Sequence, residues 1–395
     1  TVTFDVDQSG WPNGLAGITV NGTLTFLADG TKVHLKTYGD IAGTGSIYCG
    51  TEANPIPPIT DGSGDATVFI ELRESARFTG NFANLEFWGE MRAPGYPIAS
   101  KPDNYTVVLA GEGRLEWLRA GDRVGISNSN IRGRNSPPDE TFIVSAYDPD
   151  TRTITLDSST PLTRAVNQNT ATDYVMLLTR SIRVWRTSGS GSCFTATNNG
   201  IMHGVWLRGY SPGVLDFRSG WLVSHCTVQS SGPLAFYGSG HAISHSTAQN
   251  NGESFLGYSR GDVLYCVAQN NGSAIAYNSS NATFAHCVSQ NSDAGGITRE
   301  GYGNLIFDCI GENNLWGGIS TGGSSHSIWC CTGRNSTYSG ISYAGVRHNI
   351  SYCRASANQY GELATNSNGL ILRHCVAEGT SEIGGYNLTA TTWWL

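Results

Sequence analysis

The residues that precede a recurring cysteine in the second half of the chain include the types needed for acid–base chemistry. When the repeats are aligned, this column reads His225, His245, Tyr265, His286, Asp308, Cys330, Tyr352 and His374. If neighbouring members stack, the Asp308 carboxylate orients the His286 imidazole as a general base, and Tyr265 supplies a proton from the other side. Such a trio suits β-elimination from a uronic acid. The alternative interpretation is an outward ladder of polar and aromatic side chains that stack for stability alone.

A second group of aromatic and charged residues follows a recurring apolar position. Two residues after it the column reads Phe217, Tyr237, Gly257, Tyr277, Arg299, Thr321, Tyr343 and Thr365, and Tyr258, Arg260, Asp262, Glu300 and Tyr302 lie near it in sequence. We hypothesise that Asp262 and Glu300 form the acid/base pair of a glycoside hydrolase. Arg260 and Arg299 would bind an anionic sugar, while Tyr237, Tyr258, Tyr277, Tyr302 and Tyr343 stack on sugar rings. The alternative is a tyrosine stack in the core with solvated charges around it, because strict alternation along a strand turns the column inward.

These columns depend on a repeat of 20 to 22 residues that becomes clear after about residue 200. Its marker is a cysteine, replaced once by serine: Cys226, Ser246, Cys266, Cys287, Cys309, Cys331, Cys353 and Cys375. Two apolar columns keep the same phase, one of Val223, Ile243, Val263, Phe284, Ile306, Ile328, Ile350 and Leu372, the other of Ala235, Phe255, Ile275, Ile297, Ile319, Ile341 and Leu363. A coil of this length suits three short strands joined by bends, and coils stacked about 4.8 Å apart turn each column into a ladder. The sequence therefore predicts an all-β fold, a right-handed single-stranded parallel β-helix of the pectate-lyase-like kind.

The cysteines and asparagines of the repeat are predicted to be structural. Stacked cysteines on adjacent coils are too parallel and too far apart for a disulfide, so we expect a ladder of buried free thiols. Cys330, next to Cys331, should point to the opposite face and be the exposed thiol. Four residues after each marker stands an amide column predicted to form a buried ladder that satisfies the turns: Asn250, Asn270, Asn291, Asn313 and Asn335.

The first half of the chain is β-rich but lacks the short period. It contains FDVDQSGWPNGLAGITVNGTLTF and GDIAGTGSIYCGTEANPI, then LEWLRAGDRVGISNSN, TRTITLDSSTPL and TDYVMLLTRSIRV. In this order, over roughly residues 1–190, these segments resemble the eight-glycine domain and its connection to a β-helix in the family of the hyaluronan-binding cell-migration-inducing protein, the transmembrane hyaluronidase and the fibrocystin-like receptors; similar chains also look like parts of phage tail proteins. The resemblance implies a glycine-rich β domain packed on the first coils of a β-helix, with hyaluronan degradation in some members. Where the animal enzymes are rich in histidine, GIMHGVWLRGYSPGVLDFRSG keeps only His203, so no catalytic residue is carried over.

Composition narrows the classes of partner. The formal net charge is -7 and the lysines are Lys32, Lys36 and Lys101, a balance that argues against nucleic acid and assigns anion recognition to arginine. No apolar stretch approaches the roughly 20 residues of a membrane span. The sequence has no CxxC pair and no spaced aspartate loop of a calcium site, so we predict no cofactor and find no motif for calcium.

Three regions are predicted: 1–115 as an eight-glycine-like β domain, 116–190 as transitional strands and irregular first coils, and 191–395 as the regular β-helix. Trp393 and Trp394 are expected to cap the last coil or to pack on a following domain, and the start at Thr1 inside the strand-like run TVTF indicates a fragment or mature form.

The leading functional hypothesis is an extracellular or virion-displayed β-helix that binds a polysaccharide and, in one version, depolymerises it as a hydrolase or a lyase. The alternative is a non-catalytic structural tail protein or adhesin. By analogy with tailspikes we expect a homotrimer or a larger virion assembly.

Overall fold

In the computed structural model, the described residues are 1–27, 29–59, 66–93, 95–111, 118–126, 140–159, 162, 174–195, 197–216, 219–252 and 255–378. They form strands, bends and turns; none of them lies in a helix, and so none in a helix that could cross a membrane. The chain divides into two compact units, each described by itself. The first unit holds the described residues of Thr1–Asn130, Asp139–Ser231 and His245–Thr247, and the second those of Gly232–Ser244 and Ala248–Leu395. Phe217, Trp393 and Trp394 lie outside the described residues.

The strands up to residue 229 are, in chain order, β1 (Val2–Phe4), β2 (Ile18–Val20), β3 (Thr23–Phe26), β4 (Val33–Thr37), β5 (Ile41–Gly43), β6 (Ser46–Cys49), β7 (Val68–Leu72), β8 (Asn84–Trp88), β9 (Gly95–Ser100), β10 (Thr106–Leu109), β11 (Arg123–Ile126), β12 (Glu140–Asp148), β13 (Thr153–Leu156), β14 (Tyr174–Leu177), β15 (Ile182–Arg186), β16 (Ile201–His203), β17 (Val205–Arg208), β18 (Leu215–Asp216), β19 (Leu222–Ser224) and β20 (Thr227–Gln229).

The strands that follow are β21 (Ala235–Phe236), β22 (His241–Ser244), β23 (Thr247–Gln249), β24 (Leu256–Gly257), β25 (Gly261–Leu264), β26 (Val267–Gln269), β27 (Ala276–Tyr277), β28 (Thr283–Ala285), β29 (Val288–Gln290), β30 (Thr298–Arg299), β31 (Leu305–Phe307), β32 (Ile310–Glu312), β33 (Ser320–Thr321), β34 (Ser327–Trp329), β35 (Thr332–Arg334), β36 (Ser342–Tyr343), β37 (Asn349–Ser351), β38 (Arg354–Ser356), β39 (Ala364–Thr365), β40 (Ile371–Arg373) and β41 (Val376–Glu378).

The coil-forming strands of the first unit pair in parallel with the corresponding strand of the next coil. One sheet has the order β1-β3-β6-β8-β16-β19 and another the order β4-β7-β15-β17-β20. In the second of these sheets, Val33, Val68, Ile182 and Val205 are partners on successive strands, and all four side chains are fully buried. Since side chains alternate along a strand, this register turns the neighbouring residues to the opposite face of the sheet.

Strands β9 to β14, in the middle of the sequence of the first unit, form an antiparallel barrel. Its closed strand order is β10-β13-β12-β11-β14-β9. The barrel has an apolar core of its own, in which Val107, Val124, Val144 and Ile154 are completely buried. Outside this core, the buried Arg92 guanidinium makes two hydrogen bonds with the Asp122 carboxylate, of 2.7 and 2.5 Å.

The second unit repeats one coil of three parallel strands. Its three sheets have the orders β22-β25-β28-β31-β34-β37-β40, β26-β29-β32-β35-β38-β41 and β21-β24-β27-β30-β33-β36-β39. The apolar column predicted before the cysteines is confirmed, because Val263, Phe284, Ile306, Ile328 and Ile350 are partners on successive strands and are fully buried. The all-β class and the parallel β-helix are therefore confirmed. The glycine-rich domain and the boundaries at 115/116 and 190/191 stay predictions.

The second apolar column needs one correction, at its first member. The N–H of Ala235 donates to the carbonyl of Phe255, and Ala235 pairs with Leu256, so Leu234 rather than Ala235 corresponds to Phe255. The reason is a turn that is one residue shorter between Cys226 and Leu234 than between Ser246 and Phe255. As a consequence Tyr237 belongs to the column of Tyr258, not to that of Tyr277.

The predicted amide column is also displaced by one residue. Asn250, Asn270, Asn291, Asn313 and Asn335 all have positive φ angles between 51° and 56° and form the bends, a conformation that Asn tolerates better than most residues. The buried ladder is formed by the residues that follow them. In that ladder Asn271, Asn314 and Asn358 accept, through Oδ1, the backbone N–H of Asn251, Ser292 and Ser336, each at 2.9 Å.

The prediction for the cysteines is confirmed. All ten are free; those of the marker column from Cys226 to Cys353 are buried, and Cys330 is exposed. Each buried thiol of the marker column donates to the carbonyl of the residue two positions before it, as Cys287 does to Ala285 at 3.3 Å. Burial raises the pKa of the Cys287 and Cys309 thiols well above its usual value, so these two side chains are apolar filler with little reactivity.

Candidate functional site

A stack of aromatic rings runs along the second unit. The Trp316 and Tyr338 rings lie 4.7 Å apart at 9°, and the Tyr338 and Tyr360 rings lie 5.2 Å apart at 24°. Tyr343 tilts against two of them, with centroid distances of 5.3 Å to Trp316 and 5.1 Å to Tyr338. Because successive coils repeat the same position, ring faces and edges recur at the spacing of the rungs.

Charged groups line a cavity of about 310 Å³ next to this stack. Trp316 forms part of its wall together with Asp293, Arg299, Glu300 and Thr321. The Arg299 Nε lies 3.8 Å from the Glu300 Oε1, and the Arg299 guanidinium carbon lies 5.1 Å from the centre of the Tyr277 ring. The cavity thus offers a cation, carboxylates and an indole to a single bound molecule.

Further predicted tyrosines extend the same surface. Tyr237 and Tyr258 are stacked at 5.0 Å and 23°, and Tyr258 meets Tyr277 edge to face at 5.1 Å. We call the set Tyr237, Tyr258, Tyr277, Arg299, Trp316, Tyr338, Tyr343 and Tyr360 the aromatic face. Of the other two predicted binding residues, Tyr302 and Arg260 are exposed but have no ring contact or ion pair with this set among the described residues.

The backbone explains why these side chains point outward. Tyr237, Tyr258 and Glu300 have positive φ angles of 57°, 52° and 62°, so each lies in a bend directly after a two-residue strand. The alternation of the strand ends there, and Tyr237 and Tyr258 are 45% and 38% exposed. The interpretation of a tyrosine stack buried in the core is therefore wrong.

Asp262 and Glu300 are not brought together. Asp262 pairs with Thr283, which pairs with Leu305 of the coil that contains Glu300, so the two carboxylates belong to coils two rungs apart. Tyr258, Asn278 and Glu300 occupy the same position in three successive coils, so the residue of the Asp262 coil that corresponds to Glu300 is Tyr258. Two rungs correspond to about 9.6 Å along the helix axis, beyond the separation of roughly 5 Å in retaining glycosidases and at the limit for inverting ones.

His286 and Asp308 do come together, as the first column predicted. The His286 Nδ1 donates to the Asp308 Oδ2 at 2.9 Å, and both side chains are accessible. The Tyr265 ring stacks on the imidazole, 4.6 Å away at 9°, and Phe307 meets the imidazole edge to face at 5.6 Å. Carboxylate, imidazole and phenol thus occur in the order that the sequence predicted.

Other rings of the column that precedes the cysteines also stack on each other. In the first unit His225 and His245 lie 4.9 Å apart at 3°, and in the second unit Tyr352 and His374 lie 4.9 Å apart at 16°. Burial, followed by the neighbouring His203 and His245, lowers the pKa of His225 to about 3, so this ring is neutral at physiological pH. Ring stacking in this column therefore occurs with and without an accompanying carboxylate.

Four residues of the site escaped the sequence prediction: Asp293, Trp316, Tyr338 and Tyr360. Trp316, Tyr338 and Tyr360 are spaced by 22 residues, so the period itself contained the signal. Asp293 lies in a bend, and no aspartate occupies the equivalent position of the neighbouring coils, so the period did not reveal it. In the described part of the chain no group of three or more His, Cys, Asp or Glu side chains could hold a metal ion.

Comparison with known proteins gives structural neighbours but no family. No protein-family model matches the chain, and no curated protein matches it by sequence. The resemblance to the eight-glycine family stays a prediction.

The structural neighbours include phage tailspikes and a bacterial adhesin. Tailspike protein 3 of bacteriophage CBA120 aligns over 93% of this chain at 10% identity, with a TM-score of 0.37. The Streptococcus pneumoniae surface protein and adhesin PfbA aligns over 93% of this chain and 91% of its own at 8% identity, with a TM-score of 0.32. Tailspike Gp54 of Acinetobacter baumannii bacteriophage AP22, solved with a capsular saccharide, aligns over 93% of this chain and 71% of its own at 9% identity, with a TM-score of 0.28.

These alignments are distant. The chain spans 56% of the length of the CBA120 tailspike. At such TM-scores the neighbours carry no functional argument, and the site has to be interpreted from its own residues.

Proposed function

We propose that this chain is a polysaccharide-binding β-helix, displayed on a virion or exposed outside the cell, and that the glycan lies along the aromatic face of the second unit. The observation that carries the proposal is the Trp316–Tyr338–Tyr360 stack beside the cavity of Arg299 and Glu300. Aromatic faces accept the apolar faces of sugar rings, and an Arg fork binds a carboxylate or sulfate. A ladder of such groups along the coils matches an extended polymer better than a small ligand.

The test is binding of the whole chain to a panel of hyaluronan, alginate, pectate and bacterial capsular polysaccharides. For the polymer that binds, we expect Trp316→Ala and Tyr338→Ala each to weaken affinity about tenfold, since ring contacts of this kind contribute about 0.5–1.5 kcal/mol. Trp329→Ala is the matched control, because Trp329 is 47% exposed on β34 and does not belong to the aromatic face. If Trp316→Ala and Tyr338→Ala bound the polymer as tightly as Trp329→Ala does, and all three variants kept the melting temperature of the unchanged protein, this placement of the glycan would be contradicted.

Hyaluronan belongs in the panel because of the resemblance of residues 1–190 to the eight-glycine family. The finer proposal is that this chain shares the hyaluronan preference of some members of that family. Arg299 would then pair with the glucuronate carboxylate. Preference for a neutral capsule over hyaluronan would contradict the finer proposal while leaving the aromatic face as the binding surface.

Cleavage by β-elimination is the second candidate function, favoured by the 2.9 Å contact between His286 and Asp308 with Tyr265 stacked on the imidazole. Asp308 holds the tautomer in which the His286 Nδ1 carries the proton, which leaves Nε2 free to remove a proton next to a uronate carboxylate. Reducing ends together with ultraviolet absorbance of unsaturated sugars would identify this reaction, and Asp308→Asn should lower its rate at least about a hundredfold. Reducing ends without absorbance would instead indicate hydrolysis, which Asp262 and Glu300 would have to perform across two rungs.

A non-catalytic tail protein or adhesin remains the alternative to both reactions. It predicts binding in the panel with neither product, for a chain shown to be folded. The expected homotrimer is part of the same proposal, and the molar mass of the chain in solution tests it separately.

A further inference from the structure

The stack of rings in the second unit ends at Trp316, although the column to which Trp316 belongs continues. The backbone N–H of Trp316 donates to the carbonyl of Ala294 at 3.3 Å, and the glycines that follow these two residues form a parallel bridge. Ala294 therefore holds the position of Trp316 in the preceding coil, 22 residues earlier, just as Tyr338 holds it in the following coil. At this position the periodic stack lacks a ring.

The indole of Trp316 is covered from one direction along the coils. Tyr338 stacks on it at 4.7 Å, Tyr343 tilts against it at 49°, and no other ring of the described residues contacts it. Because Tyr338 comes from the following coil and Ala294 from the preceding one, the side of the indole away from Tyr338 faces a position that holds only a methyl group.

The cavity of about 310 Å³ adjoins this position. Ala294 and Trp316 both line it, together with Asp293, Arg299 and Glu300 from the coil of Ala294. Its volume lies at the lower end of the range of ligand pockets, about 300–1,000 Å³, so it has room for one sugar ring rather than several. We call the part of the cavity bounded by these five residues the slot.

Two buried hydroxyl groups next to the slot have no hydrogen-bond partner among the described residues. Ser273, which holds the position of Ala294 one coil earlier, is 3% exposed, and its Oγ is unpaired. Thr321 lines the cavity and pairs with Arg299, and its buried Oγ1 is also unpaired. Buried polar atoms are nearly always hydrogen-bonded, so these hydroxyls indicate a polar ligand in their neighbourhood.

We propose that one pyranose ring, at a chain end or a side branch of the glycan, occupies the slot as the missing member of the stack. One face of the ring packs on the Trp316 indole. Its hydroxyls accept from the Arg299 guanidinium and donate to the Glu300 carboxylate, whose Nε and Oε1 are 3.8 Å apart. The indole closes the slot along the stack, so the ring has room for a glycosidic link on its open side only. The proposal rests on glycan binding by the aromatic face and makes Ala294 the residue that admits the sugar.

The first test fills the slot from the protein side. Ala294→Phe supplies the missing ring, so we expect it to weaken binding of the polymer selected from the panel at least about tenfold, with an unchanged or higher melting temperature. Ala242→Phe is the matched control, because it adds the same ring at an exposed position of the second unit, and its affinity should stay that of the unchanged protein. Unchanged affinity of a folded Ala294→Phe would overturn the slot. If Trp316→Ala and Tyr338→Ala still weakened binding in that case, the aromatic face would remain the glycan surface.

The second test uses the chain without any substitution in the slot and does not depend on finding the polymer. The full chain, labelled with ¹⁵N-tryptophan, is titrated with the methyl pyranosides of glucose, galactose, mannose and N-acetylglucosamine up to about 50 mM, which covers millimolar dissociation constants. We expect at least one of them to shift the indole N–H resonance of Trp316, assigned with Trp316→Phe, and to leave that of the exposed Trp329 in place. The absence of a shift with every glycoside, or an equal shift of Trp329, would overturn the proposal.

Discussion

At the scale of single residues, position relative to the strand decides which of two adjacent cysteines can react. Cys331 is buried in the marker column, whereas Cys330 lies in the neighbouring bend with a φ angle of 53° and is exposed. Burial raises the pKa of Cys331 well above its usual value, and a hydrogen bond with Cys353 together with partial burial raises that of Cys375.

We expect a thiol reagent at neutral pH to label one cysteine rapidly in the folded chain and all ten after denaturation. Cys330→Ser should abolish the rapid phase; a rapid phase that persists in this variant would show that the thiol ladder opens.

At the scale of elements, the bends between coils contain a second ladder in which histidine takes the place of asparagine. Asn304 Oδ1 accepts the backbone N–H of Ala282 at 3.0 Å, and His326 and His348 accept through Nδ1 in the next two coils, at 3.2 and 3.1 Å. The two imidazoles are fully buried and stacked at 4.7 Å. Burial, then repulsion from His348, lowers the pKa of His326 to about 3, and burial lowers that of His348 to about 4.

The stability of this ladder should therefore depend on pH. Both folded pKa values lie below the ordinary histidine value of 6.5. The contribution of the two neutral imidazoles to the free energy of unfolding is therefore fully present above that pH and is lost as the pH falls towards 4 and 3. Between pH 7.5 and 5.0 the loss is roughly 2 kcal/mol for each histidine. His326→Asn with His348→Asn repeats the side chain of Asn304, and chemical denaturation at the two pH values should show a smaller loss for this double variant. Equal losses in both proteins would contradict the argument.

The repeated elements are also the part of the molecule that sequence predicts best. A column such as Ile306, Ile328 and Ile350 recurs because every coil buries the same position, and the pairing of Asp308 with His286 follows from that period. Where a turn changes length, as before Leu234, the period no longer gives the register. The separation of Asp262 from Glu300 depends on their places in the coil, since Asp262 lies on β25 and Glu300 directly follows β30. The spacing of the repeat alone does not contain that information. The antiparallel barrel escaped prediction because nothing in it repeats.

At the scale of the whole molecule, the barrel is an insertion into one bend of the first unit. β8 ends at Trp88 and β15 begins at Ile182, and these residues pair with His203 and Val205, which Gly204 alone separates in the next coil. A single-residue bend is thus replaced by the whole segment between β8 and β15. The barrel contributes contacts to the coils, since Arg180 donates to the carbonyl of His225 at 2.6 Å, but its apolar core is its own.

An insertion of this kind should be removable. We expect a variant that joins Gly89 directly to Ser181, and a second one with a Gly-Ser-Gly-Ser linker between them, to keep the far-ultraviolet spectrum and cooperative melting of a β-helix. The melting temperature should fall, because the hydrogen bond from Arg180 to the carbonyl of His225 is lost. The linker variant distinguishes strain at the junction from a need for the barrel itself. If both variants aggregate or melt without cooperativity, the barrel is part of the folding unit of the first coils and not an addition to them.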